Sequence, residues 1–210
     1  MSGFFYPFAT TVTRTLAHIL SNVIVSGADN LPSQGGLIVT PNHLHFADPP
    51  IVSAFLPRPI RFMVKQEAWD TPLLGLLPRW FGGFPVRRGE VDLGAYRMAL
   101  ELLRSGQVLG IFPEGHRSRD GRLQGGRPGA IVLARRSGAP IVPVGIWGVK
   151  EILSVPGVFQ RRELHIAVGE PYHPPAARHG DVGYVTAELM ERIGRLLPPE
   201  HQRRSTTAIE

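Results

Sequence analysis

Two side chains in the stretch TPNHLHFADPPI, residues 40–51, have the types needed for proton transfer: His43 and, five residues later, Asp48. An imidazole whose Nδ1–H is held by a carboxylate has a fixed tautomer, and its Nε2 is left free to act as a base. On a continuous helix five residues turn the chain by roughly 500°, about 140° away from alignment, so the pair would not share a face. In a loop that leads into a helix they can meet. Asp48 would then sit at the cap, with one oxygen on a free backbone N–H and the other on the imidazole. Two further readings use the same residues. Asp48 can be a plain cap beside a loop histidine. Alternatively, His43 and His45 can belong to a metallohydrolase centre, which needs more ligands; Pro49 follows Asp48, and the other six histidines show no paired ligand spacing.

The flanking sequence indicates how such a pair would be positioned. Gly35-Gly36 marks a turn, and Leu37-Ile38-Val39-Thr40 is a short apolar, β-branched run that reads as a buried strand. His43 then lies just past a strand's carboxyl end, where open α/β sheets bind ligands. Asp48-Pro49-Pro50 is a good helix start, because proline tolerates the first turn. Backbone N–H groups near that start are candidate donors to an oxyanion.

Basic groups recur in the same kind of place. FPVRRG, residues 84–89, is a short strand that ends in Arg87 and Arg88, a plausible clamp for a phosphate dianion or a solvated surface pair. The strand Gln107–Phe112 runs into Pro113-Glu114-Gly115-His116-Arg117-Ser118, with further arginines at 119, 122 and 127. Of the 23 basic residues only Lys65 and Lys150 are lysine, and the formal net charge is +6. This balance suggests phosphate-bearing partners. A basic nucleic-acid-binding module would need aromatic residues interleaved with the arginines as stacking platforms, and they are not. With no cysteine in the chain, thiolate nucleophiles, disulfides and cysteine–zinc sites are excluded.

Strands at about 60–65, 141–146 and 163–168 alternate with helices at about 92–104, 128–137 and 185–197. The pattern predicts a single α/β domain with a mainly parallel sheet flanked by helices, and an amphipathic N-terminal helical segment before it. Residues 1–25 are read as that segment, 26–197 as the domain and 198–210 as a flexible tail. In the first segment Phe8, Val12, Leu16, Ile19, Leu20 and Val23 recur at helical spacing. Such a helix either lies on a bilayer surface or packs as an ordinary first helix; its apolar run is too short to span a membrane. PLLGLLPRWFGG, residues 72–83, can line an acyl-chain pocket, touch a membrane surface or simply fill core.

Four stretches, NHLHFADPP, FPVRRG, FPEGHRSRDG and APIVPVGI, occur in that order between Asn42 and Ile146. Together they resemble the four sequence blocks of the glycerolipid acyltransferase family, in particular its bacterial lysophosphatidate acyltransferases. Any one block is weak, but four in order are specific. The resemblance implies acyl transfer from acyl-CoA or acyl-carrier protein, as co-substrate and without a cofactor or metal, to the free hydroxyl of a lysophospholipid. It assigns His43 as base and Asp48 as its partner. Arg87 or Arg88, Glu114 and Gly115, with help from Arg117, would bind the acceptor's glycerol phosphate. It also implies peripheral attachment at the cytoplasmic face of the cell membrane and no nucleic-acid partner. The chain departs from the blocks at His45, commonly serine, and at His116, commonly threonine or serine. Glycerol 3-phosphate or another lysolipid is the alternative acceptor.

Overall fold

The computed structural model describes residues 4–72, 75–87, 92–154, 160–176 and 181–203. Among the described residues seven strands form one sheet: β1 (Asn22–Ser26), β2 (Leu37–Pro41), β3 (Ile60–Lys65), β4 (Phe84–Val86), β5 (Val108–Gly110), β6 (Ile141–Trp147) and β7 (Glu163–Val168). Their spatial order is β1-β7-β6-β2-β5-β3-β4. The five strands from β6 to β4 are mutually parallel. β7 pairs antiparallel with β6, and β1 joins β7 in parallel.

The buried strands carry apolar side chains on both faces, as a sheet covered on both sides requires. In β2, Leu37, Ile38 and Val39 are each fully buried. Leu37 and Val39 point to one core with Phe62, Val142 and Val144, while Ile38 points to the other with Leu109 and Ile141. The first core is closed by α1 (Phe5–Leu20) and α2 (Asp48–Phe55), which supply Ala17, Ile51 and Val52, with Leu56 just past the end of α2. The second is closed by three helices, which for this chain are labelled α5 (Leu93–Arg104), α6 (Gly129–Ser137) and α8 (Val182–Gly194). Among the described residues the short helices between them in sequence are α3 (Gln66–Asp70), α4 (Leu76–Trp80) and α7 (Val149–Ile152). The result is a helix–sheet–helix sandwich, and the predicted α/β fold with a mainly parallel sheet is the one observed.

This topology fixes where a site can form. The crossover from β2 through α2 passes β5 to reach β3, on one face of the sheet. The crossover from β5 through α6 passes β2 to reach β6, on the other face. Connections therefore leave β2 and β5 in opposite directions, which opens a crevice at their carboxyl ends.

Two boundaries differ from the sequence reading. The helix ends at Leu20, not near Val25; Ser21 is extended, and Val23, Ile24 and Val25 belong to edge strand β1. Three consecutive β-branched residues pair readily with β7 and prolong a helix poorly. The end of the described chain is also docked rather than frayed. Pro199–His201 form a 3-10 turn; the Leu123 N–H donates to the His201 carbonyl, and Gly121 O lies 2.7 Å from His201 Nδ1. Residues 204–210 lie outside the described residues.

Candidate active site

β2 ends at Pro41, and the next residue locks the chain's exit. Asn42 is fully buried. Its amide donates to the Ile146 carbonyl (2.9 Å) and accepts from the Ile146 N–H (2.7 Å), so a side chain continues the pairing with β6 where the backbone of β2 turns away. His43 follows, with its side chain 12% exposed.

The imidazole is fixed from several directions. Its Nδ1–H donates to Asp48 Oδ2 at 2.9 Å. Its ring stacks on Phe112 with centroids 4.0 Å apart, and Phe112 stacks in turn on Phe62 at 5.1 Å. Gly110 makes room for this stack, since a Cβ there would come within 2.4 Å of the Phe62 ring. The His43 N–H donates to Glu114 Oε1 (2.7 Å), and its carbonyl accepts from the Ser118 N–H (2.8 Å).

Asp48 does not act as the expected cap with one oxygen for each partner. It is the first residue of α2, and Ala47 precedes it with no side-chain capping bond. From there the carboxylate reaches back into the loop. Oδ2 alone accepts from His43 Nδ1–H and from the Leu44 and His45 N–H groups, both at 2.7 Å. Oδ1 is buried and has no hydrogen-bond partner among the described residues. The helix start also offers no oxyanion donors. Pro49 and Pro50 lack N–H groups, Asp48 N–H donates to the His45 carbonyl, and Ile51 N–H to the Ala47 carbonyl. The Ala47 N–H lies on His45 Nδ1 at 3.3 Å. Burial lowers the His45 pKa below its usual value, which favours the neutral form of this second imidazole.

The remaining predicted residues fall in two places. Glu114 and Gly115 follow β5 and come into the crevice beside His43. Glu114 is only 1% exposed, and its second oxygen accepts from the Gln124 N–H at 2.9 Å. Gly115 is left-handed (φ 74°), and a Cβ would come within 2.7 Å of Arg127 Nε. Arg117 is exposed next to Ser118, so it borders the His43 loop. Arg87 is exposed farther out, past the edge strand β4, and its N–H donates to Asp92 Oδ2, the residue that caps α5. Arg88 lies outside the described residues. Among the described residues no group of three or more His, Cys, Asp and Glu side chains is arranged to hold a metal ion.

Asn42, Phe112 and Gln124 are parts of the site that the sequence did not single out. A signal existed for the first: a polar residue directly after a fully apolar strand must find partners when buried. Gln124 contributes its backbone N–H, which no side-chain pattern reveals.

The acyltransferase family model matches residues 22–147, more than half of the chain and all of this geometry. The chain belongs to the acyltransferase family. It is 27% identical over 197 residues to the 1-acyl-sn-glycerol-3-phosphate acyltransferase of Bacillus subtilis, covering 91% of this chain and 96% of that one. A chloroplastic 1-acyl-sn-glycerol-3-phosphate acyltransferase of Arabidopsis thaliana is 28% identical over 156 residues, 71% of this chain and 43% of the plant protein. The crystal structure of the 1-acyl-sn-glycerophosphate acyltransferase PlsC from Thermotoga maritima superimposes with a TM-score of 0.69 at 26% identity, covering 91% of this chain and 78% of that one.

In this acyltransferase, burial pushes the Glu114 carboxyl up from 4.5 to about 7, against the lowering effect of the two N–H groups that it accepts; Asp48 and Asp120 add to the rise. Between those values the folded chain holds a proton that the unfolded chain has released. The group's stabilising contribution is therefore full below pH 4.5 and lost as pH rises through about 7. The stability advantage of the wild type over Glu114→Gln should shrink by about 2–3 kcal/mol from pH 5 to pH 8. Urea unfolding of both proteins at the two pH values measures this, and a constant or widening gap contradicts it.

Proposed function

We propose that this acyltransferase moves an acyl group from the thioester of acyl-CoA or acyl-carrier protein to the free hydroxyl of 1-acylglycerol 3-phosphate, forming phosphatidic acid. The observation that carries the mechanism is the Asp48 Oδ2 contact at His43 Nδ1, which leaves Nε2 as the free basic nitrogen at the crevice between β2 and β5. The acceptor hydroxyl gives its proton to Nε2 as its oxygen attacks the thioester carbonyl. Asp48 stabilises the imidazolium that results. The tetrahedral adduct then collapses, the C–S bond breaks, and the departing sulfur takes the proton from Nε2. A thioester is already activated, so no covalent acyl-enzyme is required, in keeping with a chain that has no cysteine.

Arg117 at the crevice and Arg87 beyond β4 are the guanidinium groups we assign to the acceptor's phosphate, with Arg88 as a further candidate. Acyl transfer from a fatty acyl-CoA, and separately from acyl-carrier protein, to lysophosphatidate and to glycerol 3-phosphate tests the acceptor. Product from lysophosphatidate is expected. Product from glycerol 3-phosphate alone would shift the acceptor, and none from either with both donors would overturn the reading. Arg117→Ala should raise the KM for lysophosphatidate about tenfold or more, as expected for loss of a charge-assisted contact. An unchanged KM would move the phosphate elsewhere.

A lipid acceptor must be reached at a membrane, and we propose that α1 makes that contact. Phe5, Phe8, Val12, Leu16 and Ile19 are exposed along one stripe, while Ala9 and Ala17 are buried and Arg14 turns inward to the Ala54 carbonyl. Phe4 extends the stripe, and Trp80, stacked on Phe5, widens it together with exposed Leu76 and Leu77. An apolar band on a basic protein suits the surface of an anionic bilayer. Among the described residues no helix is long and apolar enough to cross a membrane. Co-sedimentation with phosphatidylcholine–phosphatidylglycerol vesicles should fall about tenfold or more for Phe5→Ser/Phe8→Ser/Ile19→Ser, on the basis of the apolar area removed. Equal sedimentation would contradict the contact.

A further inference from the structure

The loop after β5 holds His43 at three points. The Phe112 ring covers its imidazole, the Ser118 N–H holds its carbonyl, and Glu114 Oε1 accepts its N–H. Glu114 is the least expected of the three, because a buried carboxyl group is costly to ionise and among the described residues no cationic side chain is bonded to it. Its two oxygens instead join two backbone segments that are distant in sequence, His43 at 2.7 Å and Gln124 at 2.9 Å. The peptide on either side is fixed as well: the Gly115 N–H donates to the Phe112 carbonyl, and the Arg127 N–H to the Pro113 carbonyl.

Gln124 in turn closes the arginine-bearing loop. Its side-chain amide donates to Asp120 Oδ1 and to the Arg122 carbonyl, both at 2.8 Å. We infer that Glu114 is a positioning residue that braces the His43 peptide against the 118–124 loop and does not contact the acceptor's phosphate. Its place supports this. The group is buried, both oxygens already accept N–H groups, and in its ionised form the carboxylate would repel a phosphate dianion. This role differs from the one implied by resemblance to the family, and it rests on His43 being the base.

The brace is tested with Glu114→Gln in the full-length protein. A carboxamide keeps the shape but has one acceptor oxygen, so either the His43 or the Gln124 N–H must face an NH₂ group. Amide hydrogen exchange, followed by NMR without substrate, should be at least about tenfold faster at His43 or Gln124, a rise expected for a lost buried hydrogen bond. Unchanged exchange at both would overturn the brace, whatever the reaction turns out to be. In acyl transfer to lysophosphatidate, kcat should fall about 10- to 100-fold through misplacement of the base, with the acceptor KM within about twofold. A raised KM with kcat kept would make Glu114 an acceptor ligand instead. Should Glu114→Gln fail to fold, Glu114→Asp keeps the carboxyl group and both acceptors but is one methylene too short to span the two loops. It should show the same faster exchange and loss of kcat, and wild-type values for both would overturn the brace.

Discussion

One buried oxygen, Asp48 Oδ2, is the contact on which the site depends. It gathers the His43 Nδ1–H and two backbone N–H groups within 2.9 Å, in a residue with no exposed surface. Burying a carboxylate is unfavourable, and three donors on one oxygen offset that cost while fixing the loop's shape. The Leu44 and His45 amides hold the carboxylate, so its position does not depend on the imidazole alone. The two prolines after Asp48 allow this arrangement: they start α2 without presenting N–H groups that would compete for the carboxylate.

The sheet carries the same constraint outward. The His43 loop stands on a rigid floor, because β2 runs between two parallel neighbours, β6 and β5. Asn42 extends the pairing with β6 by one side chain, so the turn into the His43 loop begins at a fixed point. From the other side the chain after β5 supplies the ring, the carbonyl clamp and the carboxylate brace. The Phe62–Phe112–His43 stack then links the site to the apolar core beneath α1 and α2. The lipid-facing stripe that we assign to α1 and the His43 loop thus rest on the same packed layer.

Much of this was legible in the sequence. The runs at 37–40, 60–65, 141–146 and 163–168 have the apolar character that a buried sheet requires, and a loop-to-helix transition allowed the His43–Asp48 pairing beside the plain-cap and metal readings. Three features were not legible, for different reasons. At the end of α1, Val23 continued the helical spacing although its neighbours favoured a strand, and only pairing with β7 settles that competition. The single-oxygen geometry of Asp48 depends on its being the first residue of the helix rather than the cap, a shift of one position that spacing does not resolve. Glu114 was assigned to the acceptor's phosphate by the family resemblance alone, and its burial could not be read from the sequence, since acidic residues are rarely fully buried. Its role emerges only when the Gln124 backbone is brought beside the His43 backbone.

The central claim is that the imidazole of His43, oriented by Asp48, removes the acceptor's proton. Its most direct test is the single-turnover rate of acyl transfer from a fatty acyl-CoA to lysophosphatidate by wild type and by His43→Ala, with equal thermal unfolding midpoints as the check on folding. The account predicts a fall of at least about 100-fold, the contribution usual for a general base. A rate within about tenfold of wild type in a folded His43→Ala protein would contradict it.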